Sequence, residues 1–297
     1  MLMALYTVRS ERMFCEQLDY NLLFRWFLDL NWDEPAFDHS TFSRNRMRLL
    51  EHDVAGEFFR TVVSEARELK LTSDEHFTVD GTLIEAWASL KSLRPKDAPP
   101  SDRTPPDDPG NPSVNFHGEQ RRNATHQSTT DPEARLAKKG AGKEAKLCYT
   151  ESVLMENRNG IIIDLRVGPA TGPAEREHGL AMLQELGGAR GITVAGDKGY
   201  DTTGFVAGCR ALNVTPHVAQ NQRRPGGSAL DQRTTGWPGY ALSQRVRKRV
   251  EEIFGWSKTV GNFRRTRHRG VARTSFAAYL VAAAYNLPRI AKLCPTG

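Results

Sequence analysis

Three acidic residues, far apart in the chain, have the chemistry and the setting to hold divalent cations. Asp80 and Asp197 each follow a short apolar run that is typical of a β-strand, and Glu251 lies in the helix-length segment from Arg247 to Lys258. Carboxylate oxygens are the ligands that Mg²⁺ and Mn²⁺ prefer. Two such ions, about 3.5–4 Å apart, stabilise both the attacking and the leaving oxygen of a phosphodiester. The three acids therefore indicate metal-assisted phosphodiester chemistry.

The segment around Glu251 predicts an amphipathic helix. At about 100° per residue, one mainly apolar stripe holds Val246, Val250, Ile253, Phe254 and Ser257. An adjoining stripe holds Gln244, Arg247, Glu251 and Lys258. Glu252 points towards Lys248, which favours a solvated pair. Taken alone, both glutamates are equally well explained as surface acids, but the two strand acids favour a functional role for Glu251.

The basic residues are concentrated towards the C-terminus. The 297-residue chain carries a formal net charge of +6, yet residues 245–292 hold twelve Lys or Arg and only two acids. That segment is therefore +10 and the remainder −4. A solvated charged face is the usual explanation for a basic helix. Here Arg264, Arg265, Arg267, His268 and Arg269 extend the charge beyond the helix, which favours contact with a polyanion.

Composition argues against several other classes. The four cysteines are widely spaced and include no CxxC pair, so they predict neither a zinc site nor a disulfide framework and fit a reducing cytoplasm. No apolar run approaches the roughly 20 residues of a membrane span. Residues 1–6 lack the basic leader of a signal peptide. We therefore expect a cytoplasmic protein that has no membrane partner.

Residues 1–72 are predicted to form a small all-helical domain. Apolar residues recur at helical spacing in two stretches, at Leu18, Leu22, Trp26 and Leu30 and at Val54, Phe58, Val62 and Leu69. Between these stretches, Asp38 or Ser40 could cap a short helix that carries Arg44, Arg46 and Arg48. A basic middle helix is typical of a helix-turn-helix unit that binds DNA. A plain helical bundle is the other interpretation that the sequence leaves open.

Residues 73–293 predict a mixed α/β sheet flanked by helices. Strands are expected at 75–82, 147–155, 160–167, 192–195 and 214–218, and helices at 174–186, 202–212, around Glu251 and at 279–293. The run from Asn157 to Gly160 predicts a hairpin. Two other stretches are expected to be loops: residues 94–113, which contain seven prolines, and the Gly- and Pro-rich residues 220–242.

Three motifs together resemble the DDE transposases of bacterial insertion sequences. They are Val79-Asp80-Gly81-Thr82, Gly196-Asp197-Lys198-Gly199-Tyr200 and the segment from Arg247 to Lys258. The resemblance extends over nearly the whole chain and is nearest to the insertion sequence five group of the insertion sequence four superfamily. It implies a ribonuclease H-like catalytic fold in which Asp80, Asp197 and Glu251 are the catalytic, metal-binding acids. The tyrosine that precedes the superfamily's glutamate motif is replaced here by Gln244.

The resemblance also implies cofactors and partners. The acids would hold two Mg²⁺ or Mn²⁺ ions, and the partner would be double-stranded DNA, both the element's terminal inverted repeats and the target. The enzyme would act as a homodimer on DNA, associated with the bacterial nucleoid. The residues expected to contact DNA are Arg247, Lys258, Arg264, Arg265, Arg267, Arg269, Lys198, Arg44 and Arg48. Family members usually carry more residues upstream, so a shortened copy is expected.

Two other functions stay open at this point. A shortened or repurposed transposase would bind DNA without cutting it, and a general nuclease on the same fold would cut without end preference. The intact set of three acids favours catalysis, and the basic C-terminal segment favours recognition of DNA ends. His126, His178 and His217 lack ligand spacing and are expected in ordinary structural roles. Asp201 or Thr202 is expected to cap the helix that follows, and for Asp201 this role is favoured over metal binding.

Overall fold

The structure is a computed structural model that describes residues 1–96, 115–116, 119–140, 142–187, 191–223 and 225–294. It contains two compact units. The first comprises Met1–Leu71, Glu252–Arg264 and Phe276–Gly297, and the second Thr72–Glu251 and Arg265–Ser275. The division of the chain into domains at 72–73 stays a prediction, because the first unit also takes in C-terminal residues.

Eleven α-helices lie in the described residues. They are α1 (Leu2–Leu5), α2 (Glu11–Leu18), α3 (Leu22–Phe27), α4 (Ser40–Glu51), α5 (Val54–Glu68), α6 (Ala174–Leu186), α7 (Thr203–Ala211), α8 (Gln232–Thr235), α9 (Pro238–Val246), α10 (Val250–Thr259) and α11 (Val271–Leu293). Short 3₁₀ turns are formed by Leu90–Ser92 and Arg247–Arg249. None of the helices in this described part is both long and apolar enough to cross a membrane.

The N-terminal helices pack around a small apolar core. Its buried residues are Leu2, Val8, Phe14, Leu18 and Phe24. The repeat from Leu18 to Leu30 does not form one helix, because the Asn21 side chain accepts the Phe24 N–H and starts α3 anew. As a result Trp26 is 73% exposed rather than buried. In α5 the buried face runs through Phe59, Val62 and Val63, and the predicted Val54 is exposed.

The second unit is built on a mixed sheet. Its strands are β1 (His76–Glu85), β6 (Arg135–Lys138), β7 (Ala145–Glu156), β8 (Ile162–Pro169), β9 (Thr193–Gly196) and β10 (Thr215–Val218). The order β10-β9-β1-β7 is completed by β8 and β6, which both pair with the remaining edge of β7. Strands β10, β9 and β1 are parallel, and β7 is antiparallel to β1, β6 and β8. Smaller pairings join β2 (Leu93–Pro95) to β5 (His126–Ser128) and β3 (Asn115–Phe116) to β4 (Glu119–Gln120).

The predicted hairpin between β7 and β8 is confirmed, and a buried carboxylate organises its turn. Glu156 is fully buried at the end of β7 and accepts the backbone N–H groups of Ser73, Arg158, Asn159 and Ile161 at 2.8–3.1 Å. Four charge-assisted hydrogen bonds compensate for burying this acid. They also tie the turn to the residues that lead into β1.

Several sequence expectations were wrong. No strand was expected between residues 113 and 147, yet this stretch contributes β6 to the main sheet. The loop expected at 220–242 contains α8 and most of α9, which begins at Pro238, a favourable residue for a first helical turn. The helix expected around Glu251 is interrupted by the 3₁₀ turn at Arg247–Arg249. Most of the loop predicted at 94–113, from residue 97 on, lies outside the described residues.

Candidate active site

Asp80 lies inside β1 rather than at its end. It is paired with Val153 of β7 on one side. On the other side, the parallel pairing with β9 stops at Thr78 and Ala195. The edge of β1 beside Asp80 is therefore open, and its half-buried carboxylate accepts the Gly81 N–H at 2.8 Å. The strand predicted at 75–82 is confirmed but continues to Glu85, so Asp80 lies near its middle rather than at its end, where the pairing of β1 with β9 stops.

Asp197 follows β9 directly and is brought close to Asp80. Counted along the parallel register, it stands two residues beyond Ala195, as Asp80 stands two residues beyond Thr78. Its Oδ1 accepts the Gly199 N–H at 2.7 Å, which holds the carboxylate at the turn into α7. The structure thus brings two of the three predicted acids together at one place in the sheet.

The carboxyl group of Asp80 is in an unfavourable setting for a lone negative charge. Burial, together with the neighbouring charges of Asp197 and Glu175, raises its pKa to about 7. The Gly81 N–H and the positive charge of Arg247 act in the opposite direction but do not compensate. A bound cation would lower the electrostatic cost of ionising an acid that is partly buried beside two other acids.

Glu175 is a third acid whose charge acts on Asp80, and no sequence pattern indicated it. It lies in the first turn of α6, where its side chain crosses over Gly81. A Cβ atom at Gly81 would come within 2.6–2.8 Å of the Glu175 side chain, so only glycine leaves room for this approach. Burial and the charge of Asp197 raise the pKa of Glu175. Only the tertiary contact with Gly81 identifies this residue, since its sequence neighbours are ordinary helix residues.

Glu251 lies in the first turn of α10 and is exposed to solvent, not at the border of the core as its helical stripe predicted. Within the described residues, no three His, Cys, Asp or Glu side chains converge closely enough to hold a metal ion. The assembly of Asp80, Asp197 and Glu251 into one ligand set therefore stays a prediction.

Arg247 is the basic residue that the structure places within electrostatic range of Asp80. Its Nε donates to Gln244 Oε1 at 3.1 Å, and the Gln244 amide donates in turn to the His217 carbonyl of β10. Gln244 thus joins α9 to the sheet and fixes the orientation of the guanidinium group. Gln244 therefore has a definite structural role in this chain.

The buried imidazole of His217 and the half-buried imidazole of His76 share the hydroxyl of Ser243. Ser243 Oγ lies 2.8 Å from His76 Nε2 and 2.7 Å from His217 Nδ1. A hydroxyl has one proton, so one of these bonds is donated by Ser243 and the other by an imidazole. Burial lowers the pKa of both His76 and His217. The expected structural role of His217 is in accord with this network, which joins β1, β10 and α9.

An open polar cleft of about 460 Å³ lies beside Asp197. It is lined by Arg176, Lys198, Gly199, Asp201, Thr202, Asn221 and Arg223. Of the two caps expected for α7, the structure has Thr202, whose hydroxyl accepts the Phe205 N–H; Asp201 does not cap this helix. The buried Asp201 carboxylate instead accepts the N–H groups of Asn221 and Ala229 and holds the loop that forms one wall of the cleft.

The other basic residues that were predicted to contact DNA lie in different parts of the structure. Arg265 donates to the carbonyls of Ala86 and Trp87 at 3.1 and 2.7 Å and lies over the Trp87 ring, so it has a structural role beside the end of β1. Arg267 and Arg269 are exposed in the second unit. The remaining four residues belong to the first unit: Arg44, Arg48, Lys258 and Arg264.

Comparison with protein families assigns the class. A family model described as a transposase DDE domain matches residues 113–287, more than half of the chain, and a second described as a transposase domain (DUF772) matches residues 1–48. The chain belongs to the DDE transposase family. Asp197 and Glu251 lie within the longer match, and Asp80 precedes it. The family generally uses divalent metal ions.

Two further comparisons add little to this assignment. No curated protein matches the sequence. A chain in the crystal structure of a pre-cleavage Mos1 transpososome is 10% identical, with a TM-score of 0.24, over 95% of this chain and 78% of that one. At that TM-score the likeness has no bearing on the fold.

Proposed function

We propose that this protein is an insertion-sequence transposase that cuts DNA at the ends of its element and joins them to a target. The observation that carries the proposal is that Asp80 and Asp197 stand at equivalent positions, each two residues beyond the last paired residues of β1 and β9. The motifs around these residues resemble those of the insertion sequence five group. Glu251 would complete the set of catalytic acids.

The sheet supports a ribonuclease H-like interpretation of the fold. Its order β8-β7-β1-β9-β10 has three antiparallel strands followed by two that are parallel to β1. This arrangement places β1 at the centre of the sheet and next to β9. Asp80 in β1 and Asp197 just after β9 therefore lie where these two strands separate, a position at which ligands commonly bind to such sheets.

The side chains present fit divalent cations in their chemistry. Asp80, Asp197 and Glu251 supply only hard oxygen ligands, which suit Mg²⁺ or Mn²⁺. When bound, two such ions would supply the charge that stabilises the attacking and leaving oxygens. The raised pKa of Asp80 supports this assignment, because that carboxylate needs a positive neighbour to remain ionised at neutral pH.

Basic residues around the acids would orient the DNA. Arg247 lies within electrostatic range of Asp80, and Arg176, Lys198 and Arg223 line the cleft beside Asp197. Contacts of this kind bind phosphates and position the strand without reading its sequence. Transposition must hold both ends of an element together, so we expect a homodimer on DNA.

The test is cleavage of labelled duplexes that carry the element's ends, with Mg²⁺ or Mn²⁺. Asp80→Asn, Asp197→Asn and Glu251→Gln should each abolish strand cleavage and joining while binding of the same DNA stays near the wild-type level. Glu252→Gln is the matched control, since it alters the exposed neighbour of Glu251.

The outcomes separate the competing functions. A wild-type protein that binds the ends but cuts no strand with either ion would be a DNA-binding relative of the transposases. Cutting without preference for the ends, and without joining, would indicate a general nuclease. Full activity of any one of the three variants would remove that residue from the proposed catalytic set.

A further inference from the structure

Helix α3 presents a large apolar face to solvent. At about 100° per residue, its residues Leu22, Leu23, Trp26 and Phe27 fall within roughly 140° of one another around the helix axis. All four side chains are exposed, by fractions that run from 47% to 73%. Large apolar side chains seldom lie together on the surface of a protein that acts alone. These four residues are called the α3 face below.

The opposite side of α3 already has its partners, so the α3 face is not a displaced part of the core. Phe24 is buried and packs on Phe14, with ring centroids 5.6 Å apart. The Arg25 guanidinium is also buried, and it donates to the carbonyls of Leu18 and Glu34 at 2.8 and 2.6 Å. These contacts fix the rotation of α3 and tie the segments before and after the helix to it.

Two exposed aromatic residues, Tyr20 and Trp32, flank the α3 face in the chain. They lie in the segments that Arg25 ties to the helix. At about 200 Å² for each side chain, the four residues of the face and these two together expose roughly 750 Å². The largest apolar patch on a typical monomer is about 300–600 Å². Each partner in a standard protein–protein interface contributes about 800 Å². The exposed area is therefore close to what one side of a stable complex needs.

The charges around the α3 face do not suit DNA. Residues 19–34 contain four acids and one base, and that base, Arg25, is buried against backbone carbonyls. This surface would therefore repel phosphates. An apolar centre with a charged rim, rich in Trp, Tyr and Phe, is instead typical of a contact between proteins. The acids are Asp19, Asp29, Asp33 and Glu34.

We propose that the α3 face binds the α3 face of a second copy of this chain, in a two-fold symmetric dimer that forms without DNA or metal. An apolar surface can pair with itself because it needs no opposite charge, and two-fold symmetry places the same patch on both partners. The choice of a second copy rests on the proposed function, since transposition must hold two DNA ends together. Tyr20 and Trp32 would extend the contact.

Sedimentation velocity of the full chain, without DNA or metal, measures the dissociation constant of the dimer. Trp26→Ser should raise this constant by about thirtyfold or more, the effect typical of a tryptophan at the centre of an interface. Trp237→Ser is the matched control, because Trp237 is similarly exposed, at 69%, but belongs to the second unit. A monomeric wild type, or a Trp26→Ser chain that dimerises as tightly as the wild type, would overturn the proposal.

The salt dependence of the dimer gives a second readout. Salt screens the repulsion between the acids of the two rims and leaves apolar contacts intact, so dimerisation should be as tight or tighter at higher salt. A dimer that dissociates as the salt concentration rises would be held by opposite charges, and the α3 face could not be its interface.

Cross-linking tests the same face by a variant that leaves Trp26 in place. Leu23→Cys should give a covalent dimer with a bismaleimide, because two-fold symmetry brings the two copies of this position close together. Trp237→Cys and the wild type, whose four free cysteines supply the background, are the controls. No more cross-linked dimer from Leu23→Cys than from the controls would contradict the contact, and protection of this cysteine in a monomeric chain would show that the chain itself covers the face.

Cleavage and joining of DNA ends, measured on the same proteins, separate this inference from the proposed function. A monomeric wild type that cuts and joins the ends would overturn the dimer surface alone. A wild type that dimerises through the α3 face but cuts no DNA end would overturn the proposed function and leave the dimer standing.

Discussion

Asp80 and Asp197 stand in register on parallel strands, each two residues past the last paired positions, Thr78 and Ala195. The backbone pairing of β1 and β9 therefore ends just before the acids. Their carboxylates lie near each other because the strands bring them together, not because a local motif does. This geometry explains why the charge of Asp197 raises the pKa of Asp80.

The first prediction concerns the pH dependence of stability without metal. The pKa of Asp80 is raised from an ordinary 3.8 to about 7 in the folded protein. Between these values the folded state binds a proton that the unfolded state lacks, so this contribution to stability is present below about pH 4 and lost as the pH rises through 7. Asp80→Asn removes it. We expect the wild type to lose on the order of 1–3 kcal/mol relative to the variant between pH 4 and 8.

Urea unfolding in EDTA across this pH range measures the difference. The histidines of the Ser243 network titrate in both proteins and cancel in the comparison. Asp74→Asn, a change at an exposed acid, is the control and should follow the wild-type profile. Parallel profiles for the wild type and Asp80→Asn would show that Asp80 titrates normally in the fold.

A second prediction concerns the contact between Gln244 and Arg247. Gln244→Ala removes the acceptor that orients the guanidinium group, so strand cleavage should fall by about ten- to a hundredfold. Arg247→Ala should lower it further, and the double variant should be no worse than Arg247→Ala, because Gln244 acts through Arg247. Single-turnover cleavage rates measure these effects. The exposed Arg245→Ala is the control, and additive losses in the double variant would contradict the proposed coupling.

The sequence predicted those parts of the fold that depend on local pattern. The β7–β8 hairpin followed from apolar runs around an Asn- and Gly-containing turn, and α6 matched its expected bounds of 174–186. Helix α9 was missed because its Gly- and Pro-rich surroundings indicate a loop. The 3₁₀ turn at Arg247–Arg249 carries no apolar residue that would reveal a change of helical phase.

The candidate site was only partly accessible to the same reasoning. Asp80 and Asp197 are next to apolar runs and could be identified by pattern. Glu175 could not, because its significance comes from its approach to Gly81, which lies 94 positions away in the chain. The shared hydroxyl of Ser243 likewise depends on two strands and a helix that meet only in the folded protein.

A third prediction concerns that hydroxyl. Ser243→Ala leaves two buried imidazole nitrogens without their partner, which should lower the free energy of unfolding by about 1–3 kcal/mol. Urea unfolding at pH 8 measures the loss while both histidines are neutral. Leu242→Ala, a change at the exposed neighbouring position, should have a much smaller effect. Equal losses in the two variants would show that the network contributes nothing specific.

The fourth prediction tests the cleft as a phosphate-binding surface. Arg176 and Arg223 line it beside Lys198, and each neutralised phosphate contributes about 0.9 to the slope of log affinity against log salt. The double variant Arg176→Gln/Arg223→Gln should therefore bind duplex DNA with a slope smaller by about 2. Fluorescence anisotropy in EDTA, which prevents cleavage, measures this slope at several salt concentrations.

The control for this experiment is an arginine that lies outside the cleft lining. Arg233 is exposed and paired with Asp231, so Arg233→Gln should leave the slope nearly unchanged. If the affinity of the double variant falls by the same factor at every salt concentration, the substitutions have changed the structure of the binding surface and have not removed contacts with phosphates. A slope identical to that of the wild type would mean that DNA does not enter the cleft, and the phosphates would then have to be held by Arg247 and the exposed Arg267 and Arg269.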